Sequence, residues 1–304
     1  MKSHMRSKTT LPLDVKQALK QAAQLLDQDH IPSAWLDAEV LLSYVLKKDR
    51  AYIVSHPEDK LSPTQLITFN HYISLRAKHF PLAYIIGYKE FYGLNFFVTP
   101  AVLVPRPESE QLVDLAIDSY NNNPDSTIID IGTGSGCLII SVLVELSKKH
   151  KQAKGIAIDI SSRALAIAKR NSKKNHLSNI QFIQSNLLGA FIKKTSAVSK
   201  SKHVLILANL PYVPSEILKT EPSIKQEPRL ALAGGHDGLD IYRRLAKQIH
   251  KLQKQVNVHM TILCEINPEQ KKSFQTLWKE PVIFKKDLAG KNRIGIIEIK
   301  KLAI

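Results

Sequence analysis

The chain has 304 residues, 44% of them hydrophobic and 23% charged, enough for about two domains of roughly 100–200 residues with a proper buried core. A disordered tail protein, a collagen-like fibre and a small disulfide-stapled module are thereby excluded. Lys and Arg (43) outnumber Asp and Glu (27), a net charge of +16 that suits an anionic partner such as nucleic acid or a nucleic-acid-bound complex. Cys137 and Cys264 are too few for a disulfide framework or a zinc cluster and point to a reducing compartment. No stretch approaches the ~20 apolar residues of a membrane span, and Met1–Met5 lead into polar residues rather than an apolar signal region. The expectation is a soluble, cytoplasmic protein with no membrane partner.

Residues 1–80 are expected to be a small helical bundle. Val15, Leu19, Ala22 and Leu26 recur at helical spacing, with Lys16, Gln17, Lys20 and Gln24 on the other side. Ser33 is the expected N-cap of a second helix through Leu36, Val40, Leu41 and Leu46. A further helix starts after Ser62-Pro63, carrying Leu66, Phe69, Ile73 and Arg76. Nothing in this region has catalytic spacing.

Over 81–105 the pattern changes to aromatic and β-branched residues, Tyr84–Tyr88 and then Phe91–Val98 around a glycine. Two short apolar runs of this kind predict a hairpin linking the bundle to the remainder of the chain.

From about 110 onward strands and helices alternate, so residues 106–304 are expected to form an α/β domain: a mostly parallel, Rossmann-like sheet with helices on both faces. Expected strands are 126–130, 155–159, 180–184, 203–208 and 260–265. Val282–Lys286 and Ile294–Ile299 close the sheet as an antiparallel pair. Expected helices are 137–146, 162–175, 242–254 and 270–277. Lys193–Lys202 is a Lys- and Ser-rich exposed loop, and Lys148–Lys151 is a solvated helix end.

Two motifs carry chemistry. Asp130-Ile131-Gly132-Thr133-Gly134-Ser135-Gly136 lies where a strand gives way to a helix. Its glycines permit a tight turn and a close backbone approach, and the amides at the helix start face a ligand. The third glycine of a dinucleotide fingerprint would stand at 137, where this chain has Cys137. Asp159 ends the next strand, 23 positions after Gly136, where an acid can accept from both ribose hydroxyls. The combination predicts an adenosine-containing ligand, and the absent glycine favours S-adenosylmethionine over NAD.

Asn209-Leu210-Pro211-Tyr212 comes directly after the apolar strand Val204–Ala208. Strand C-termini of an open α/β sheet are where ligands bind, which sets this tetrapeptide over the same crevice. Its chemistry suits a planar nitrogen, whose lone pair is delocalised. The Asn209 side-chain oxygen and the Leu210 carbonyl can each accept one N–H hydrogen, aiming the lone pair at a methyl carbon. Pro211 stiffens the turn and Tyr212 offers a wall. Positioning and charge stabilisation supply the acceleration, with no general base needed before the methyl moves and no metal ligand set read from the sequence.

The two motifs resemble those of class I S-adenosylmethionine-dependent methyltransferases acting on planar nitrogens. Val104-Pro105-Arg106-Pro107-Glu108-Ser109-Glu110, Glu227-Pro228-Arg229-Leu230-Ala231-Leu232, Gly234–Arg244 and Asp287–Arg293 resemble segments of the peptide chain release factor N(5)-glutamine methyltransferases, the PrmC/HemK family. The resemblance covers nearly the whole chain. It implies a class I methyltransferase domain behind a helical bundle that docks class 1 peptide chain release factors. The implied reaction moves a methyl group from S-adenosylmethionine to the side-chain amide of the glutamine in their Gly-Gly-Gln motif. By position, Gly132, Thr133, Gly134, Ser135 and Gly136 would hold the methionine part of the cofactor, Asp159 its ribose and Asn186 its adenine edge. Asn209, Leu210, Pro211 and Tyr212 would hold the glutamine, with Asn209 also bordering the cofactor. The expected enzyme is a monomer that requires no stable nucleic-acid partner.

Two positions depart from the family pattern. Leu210 stands where the family usually has Pro, which keeps the carbonyl but removes one φ constraint. Asn186 stands where it usually has Asp, which keeps an oxygen for adenine's amino group but removes the charge. Asn-Leu-Pro-Tyr is also similar to the motif of ribosomal RNA adenine dimethylases, so rRNA adenine N6-methylation is the alternative reaction. Those enzymes carry their helical extension after the sheet domain and lack the Pro-Arg-Pro and Glu-Pro-Arg segments. An adenosine-binding scaffold without turnover is the non-enzymatic alternative. His236 and Asp237 are read as a loop shaping the crevice, Glu108 and Glu110 as acids at a helix start, and Cys137 as a small core residue. Arg106 is either paired to one of those acids or in contact with substrate.

Overall fold

A computed structural model describes residues 13–149, 151, 153–192, 201–221 and 224–301. The segment Met1–Met5, His150 and most of the loop Lys193–Lys202 lie outside the described residues. The chain divides into two units, Met1–Ile86 and Gly87–Ile304.

In the first unit Asp14 caps α1 (Val15–Gln28), accepting from the Gln17 amide while the Gln17 side chain reaches back. Ser62 and Gln65 form the same reciprocal box at the start of α4 (Pro63–Ala77); such caps contribute about 1 kcal/mol each. Ser33 precedes α2 (Ala34–Leu46) as expected but does not cap it: its hydroxyl donates to Asp37 Oδ1 instead. Asp49 opens a short α3 (Arg50–Ser55). Leu19, Leu26, Leu41, Leu42 and Phe69 form the buried apolar centre. Beside it Arg76 reaches the buried Asp37 at 2.6 Å.

The run Tyr84-Ile85-Ile86 is helical, not a strand. It lies in α5 (Leu82–Ile86), whose first turn hangs on the Pro81 carbonyl, and it completes this unit. So short an apolar run has no period of its own, and packing of Ala83 and Tyr84 decides it. The helical unit therefore extends beyond residue 80. The hairpin is confined to β1 (Tyr88–Phe91) and β2 (Leu94–Phe97). Tyr92 and Gly93, both at positive φ (53° and 70°), make the two-residue turn that matches strand twist.

The second unit continues with α6 (Glu110–Asn122), β3 (Thr127–Ile131), α7 (Cys137–Lys148), β4 (Lys154–Asp159), α8 (Ser162–Lys174), β5 (Ile180–Gln184), α9 (Gly189–Ile192) and β6 (His203–Ala208). Then come α10 (Ser215–Thr220), α11 (Asp240–Val256), β7 (His259–Glu265), α12 (Lys271–Gln275), β8 (Val282–Lys286) and β9 (Asn292–Ile299). Where a helix 270–277 was expected, a 3-10 turn Pro268–Gln270 precedes a shorter α12. Among the described residues the main sheet has the order β5-β4-β3-β6-β7-β9-β8. The first five strands run parallel, and β9 inserts antiparallel between β7 and β8.

Both sheet faces are covered, as expected for near-continuous apolar strands. Ile129, Ile206, Ile262 and the α11 residues Tyr242 and Leu245 pack on one face. Leu205, Leu207 and Leu263 pack on the other with Leu112 of α6 and Ile139 of α7. The chain winds outward from β3 through β4 to β5, then crosses to β6 on the far side of β3. That reversal opens a crevice at the strand C-termini, between the turn after β3 and the turn after β6.

Candidate active site

The turn after β3 is built from backbone. Gly132, Gly134 and Gly136 all take positive φ (74°, 55° and 81°), costly for a side-chain-bearing residue. The Gly132 and Thr133 amides donate to the Ile158 carbonyl of β4, and Gly136 starts α7 without a side-chain cap. A Cβ on Gly136 would lie 2.8 Å from Ile140 and 3.2 Å from the Ala168 Cβ, whereas one on Gly134 would meet only a carbonyl at 3.9 Å. Gly136 therefore serves helix packing, and Gly134 leaves its edge of the crevice open. Asp159 ends β4 with Oδ2 accepting from the Gly134 amide at 2.9 Å and Oδ1 from the Ser161 amide at 2.8 Å. Burial pushes its carboxyl up, and the Ser161, Gly134 and Ile160 amides oppose this. Beneath the turn Asp130 takes the Thr133 hydroxyl on Oδ2 at 2.7 Å. Burial pushes that carboxyl up to about 7.

The turn after β6 is built from side chains. Asn209 Nδ2 donates one hydrogen to Ser109 Oγ at 2.8 Å and the other to Glu265 Oε2 at 2.9 Å. Ser109 itself donates to Glu265 Oε2 at 2.6 Å, and the Tyr212 hydroxyl donates to Oε1 at 3.0 Å. A carboxylate only accepts, so Glu265 dictates which way the Asn209 amide faces. Both nitrogen hydrogens are spent, and Oδ1 receives no hydrogen bond from any described residue. Neither does the adjacent Leu210 carbonyl. Glu265 is buried at the end of β7. Burial raises its pKa, while the Ser109 and Tyr212 hydrogen bonds and the Arg293 charge pull it down.

Leu210 makes a backbone hydrogen bond that a proline could not. Its amide donates to the Tyr242 hydroxyl at 3.3 Å, a bond that proline lacks. That hydroxyl also sits against the Ala208 and Glu265 carbonyls. The Leu210 side chain is buried, and its Cδ2 would be 2.9 Å from a Cβ on Gly132. The two turns thus touch, and a glycine is what lets them.

The crevice between them encloses about 250 Å³ and is lined by both turns, Asp159, Asn186 and the segment Pro100–Arg106, among others. Comparisons with known proteins match both units of the chain. Residues 17–87 match a family model described as the PrmC N-terminal domain, and residues 122–279 one described as a methyltransferase domain. A release factor glutamine methyltransferase of Coxiella burnetii is 34% identical over 288 residues, covering 93% of this chain and 98% of that one. One of Koribacter versatilis is 36% identical over 240 residues, covering 78% and 81%. The chain belongs to the release factor glutamine methyltransferase family. The solved structure of the hMettl16 catalytic domain in complex with MAT2A 3'UTR hairpin 6 shares the fold, with a TM-score of 0.50 at 13% identity, covering 81% of this chain and 86% of that one.

As a member of that family the protein is a methyltransferase that uses S-adenosylmethionine, and its residues fit the cofactor. Each Asp159 oxygen has one backbone donor and a further lone pair for a ribose hydroxyl. The glycine turn offers an edge with no Cβ to block it. Asn186 lines the same crevice, but its oxygen already accepts from Arg244 Nη2 at 2.7 Å. That bond uses one of the oxygen's two lone pairs, and the other is left for an adenine amino group, as the sequence-based expectation requires. Arg244 takes the oxygen across 58 residues of chain, a partner no local pattern shows.

Asn209, Leu210 and Pro211 line the crevice, whereas Tyr212 stands outside that lining with its hydroxyl on Glu265. Arg106 pairs with Glu227, whose other oxygen accepts from the Val104 amide. The Pro-Arg-Pro and Glu-Pro-Arg segments are therefore two halves of one clasp, and neither Glu108 nor Glu110 is the partner of Arg106. Glu110 accepts from the Tyr92 amide. Cys137 is half-buried, packing against the apolar core and also lining the crevice. Asp237 pairs with Arg243 in the loop before α11, which holds its carboxyl down at about 2. Glu265, Ser109 and Tyr242 were not singled out from the sequence. The available signal was an acid ending an apolar strand, Ile262-Leu263-Cys264-Glu265, in register beside the strand that carries Asn209.

Proposed function

We propose that the protein methylates the side-chain amide nitrogen of the glutamine in the Gly-Gly-Gln motif of class 1 peptide chain release factors, as a cytoplasmic monomer. The observation that carries this reading is the pair of acceptors at the β6 lip. Asn209 and Leu210 line the crevice, Asn209 Oδ1 and the Leu210 carbonyl take no donor from the described residues, and Asn209 Nδ2 is pinned by Ser109 and Glu265. A primary amide has two N–H hydrogens, one for each acceptor. Holding both draws the nitrogen toward tetrahedral character and turns its lone pair toward the glycine turn. S-adenosylmethionine supplies the electrophilic methyl on its sulfonium. Asp159 and the glycine turn would hold that cofactor, and most of the acceleration would be positioning and stabilisation of charge developing on nitrogen. No basic side chain touches the acceptor pair among the described residues, and the proton leaves after the methyl has moved. Among the described residues no helix is long and apolar enough to cross a membrane. The helical unit, with no chemistry of its own, is read as the docking element for the release factor.

Mass spectrometry of a purified release factor incubated with the protein and S-adenosylmethionine tests the reading. The expected product carries one methyl on the Gly-Gly-Gln glutamine. An unmodified glutamine, with methylated adenine in ribosomal RNA incubated in parallel, would replace this reaction with the RNA one.

A further inference from the structure

At the end of the sheet opposite the crevice, where the parallel strands begin, strand register lines up a polar row. His203 opens β6 and pairs with His259, which opens β7. Thr261 pairs with Glu298 of β9. Ser126 precedes β3 beside His203, since Thr127 pairs with Val204. Residues two apart on a strand share a face, so all five side chains project to one side. The two imidazoles are 5.1 Å apart centre to centre. His203 is buried, while His259 and Glu298 are each less than half exposed.

Counting hydrogens exposes a shortage. Ser126 Oγ gives its single hydrogen to the Asn123 carbonyl at 2.5 Å. Its 2.7 Å contact with His203 Nδ1 is therefore an N–H donated by the ring. That fixes the tautomer and leaves a lone pair on Nε2. Nε2 faces the Thr261 hydroxyl at 2.9 Å, and the same hydroxyl faces Glu298 Oε2 at 2.9 Å. Thr261 has one hydrogen for two acceptors, so one of these contacts sets lone pair against lone pair. No hydrogen of these residues fills that gap. A cation would.

We propose that His203, His259 and Glu298 form a binding site for a divalent transition-metal ion of the zinc type, bracing β6, β7 and β9 at the end of the sheet away from the active site. One ligand atom from each residue lies within 4.8 Å of the others. A tetrahedral ion with bonds of about 2.0–2.1 Å sets its ligand atoms about 3.4 Å apart. His259 Nε2 and Glu298 Oε2 are already 2.8 Å apart, and rotation of these two partly exposed side chains closes the rest. Two imidazoles and one carboxylate suit Zn²⁺, Co²⁺ or Ni²⁺, whereas Mg²⁺ and Ca²⁺ prefer all-oxygen shells. The Ser126–Asn123 chain behind His203 is the outer hydrogen bond that aims a metal-bound imidazole.

The test titrates the full-length, chelator-stripped protein with Co²⁺, Zn²⁺ and Mg²⁺. The expected result is one Co²⁺ per chain with the visible absorption of a tetrahedral site, displaced by Zn²⁺ and indifferent to Mg²⁺. His259→Gln and Glu298→Gln are expected to lose this spectrum. Ser126→Ala should weaken Co²⁺ binding about tenfold to a hundredfold. Unchanged S-adenosylmethionine binding in these variants reports an intact fold at the other end of the strands. A wild-type protein without the tetrahedral spectrum, or a His259→Gln or Glu298→Gln variant that retains it, would overturn the proposal.

Discussion

The two sides of the crevice are made by different means. The side proposed to hold the cofactor is one contiguous stretch of backbone, Gly132–Gly136, joined by a single acid, Asp159, that two backbone amides hold in place. The side proposed to hold the substrate amide draws on four separate parts of the chain: Ser109, the Asn209–Tyr212 turn, Tyr242 and Glu265. Backbone amides need no orienting, because the turn that carries them fixes their direction. A side-chain amide can face either way, and here a buried carboxylate that only accepts decides its direction. Damage on the first side should thus appear in binding, and damage on the second in turnover.

Asn209→Ala breaks that contrast most sharply. It removes an acceptor aimed at developing charge, so kcat should fall by about 10²–10³, with S-adenosylmethionine affinity held within about twofold by calorimetry. A comparable loss in affinity would merge the two sides into one. Asp159→Ala should do the converse. Losing its hydrogen bonds to the ribose costs about 1–3 kcal/mol, read as a weaker cofactor Kd, while kcat at saturating cofactor changes little.

Glu265→Gln sharpens the distinction between touching substrate and orienting the group that does. It replaces an obligate acceptor with a group that also donates, so the Asn209 amide loses its fixed sense. We expect kcat to drop about tenfold to a hundredfold with KM nearly unchanged. The pH profile separates this from mere structural damage. The wild-type carboxyl is raised by burial, and its acceptor form is lost as pH falls through that raised value. Wild-type kcat should therefore decline on the acid side above the ordinary carboxylate range, and the Gln variant should lack that decline. The smallest effect belongs to Leu210→Pro. The amide bond to Tyr242 disappears at a cost of about 1 kcal/mol, seen as a lower Tm. The carbonyl survives, and methyl transfer should stay within a few-fold of wild type.

Much of the fold was legible in advance because its signals are local. Alternating apolar runs and helical periods place the parallel strands and most helices, and Ser62-Pro63 announces the start of α4. The misreadings fall where local signals are degenerate. Tyr84–Ile86 is apolar enough for a strand, yet the Pro81 carbonyl and burial in the helical unit wind it into α5. Ser33 has the right chemistry for a cap, but Asp37 competes for its hydroxyl.

The amino-acid order alone determined what backbone conformation can encode: the glycine turn after β3, the acid ending β4 and the stiff Asn-Leu-Pro-Tyr turn after β6. Each is a property of a few consecutive residues, and the alternation of strands and helices sets them over one crevice. Tertiary structure decided which atoms those residues present. Asn209 shows its oxygen because Glu265, 56 residues on, takes one of its hydrogens and Ser109 the other; the Asn186 oxygen gives one of its lone pairs to Arg244, 58 residues on. An amide carries a donor and an acceptor on one rotatable group, so its outward face is set only by partners that folding brings to it.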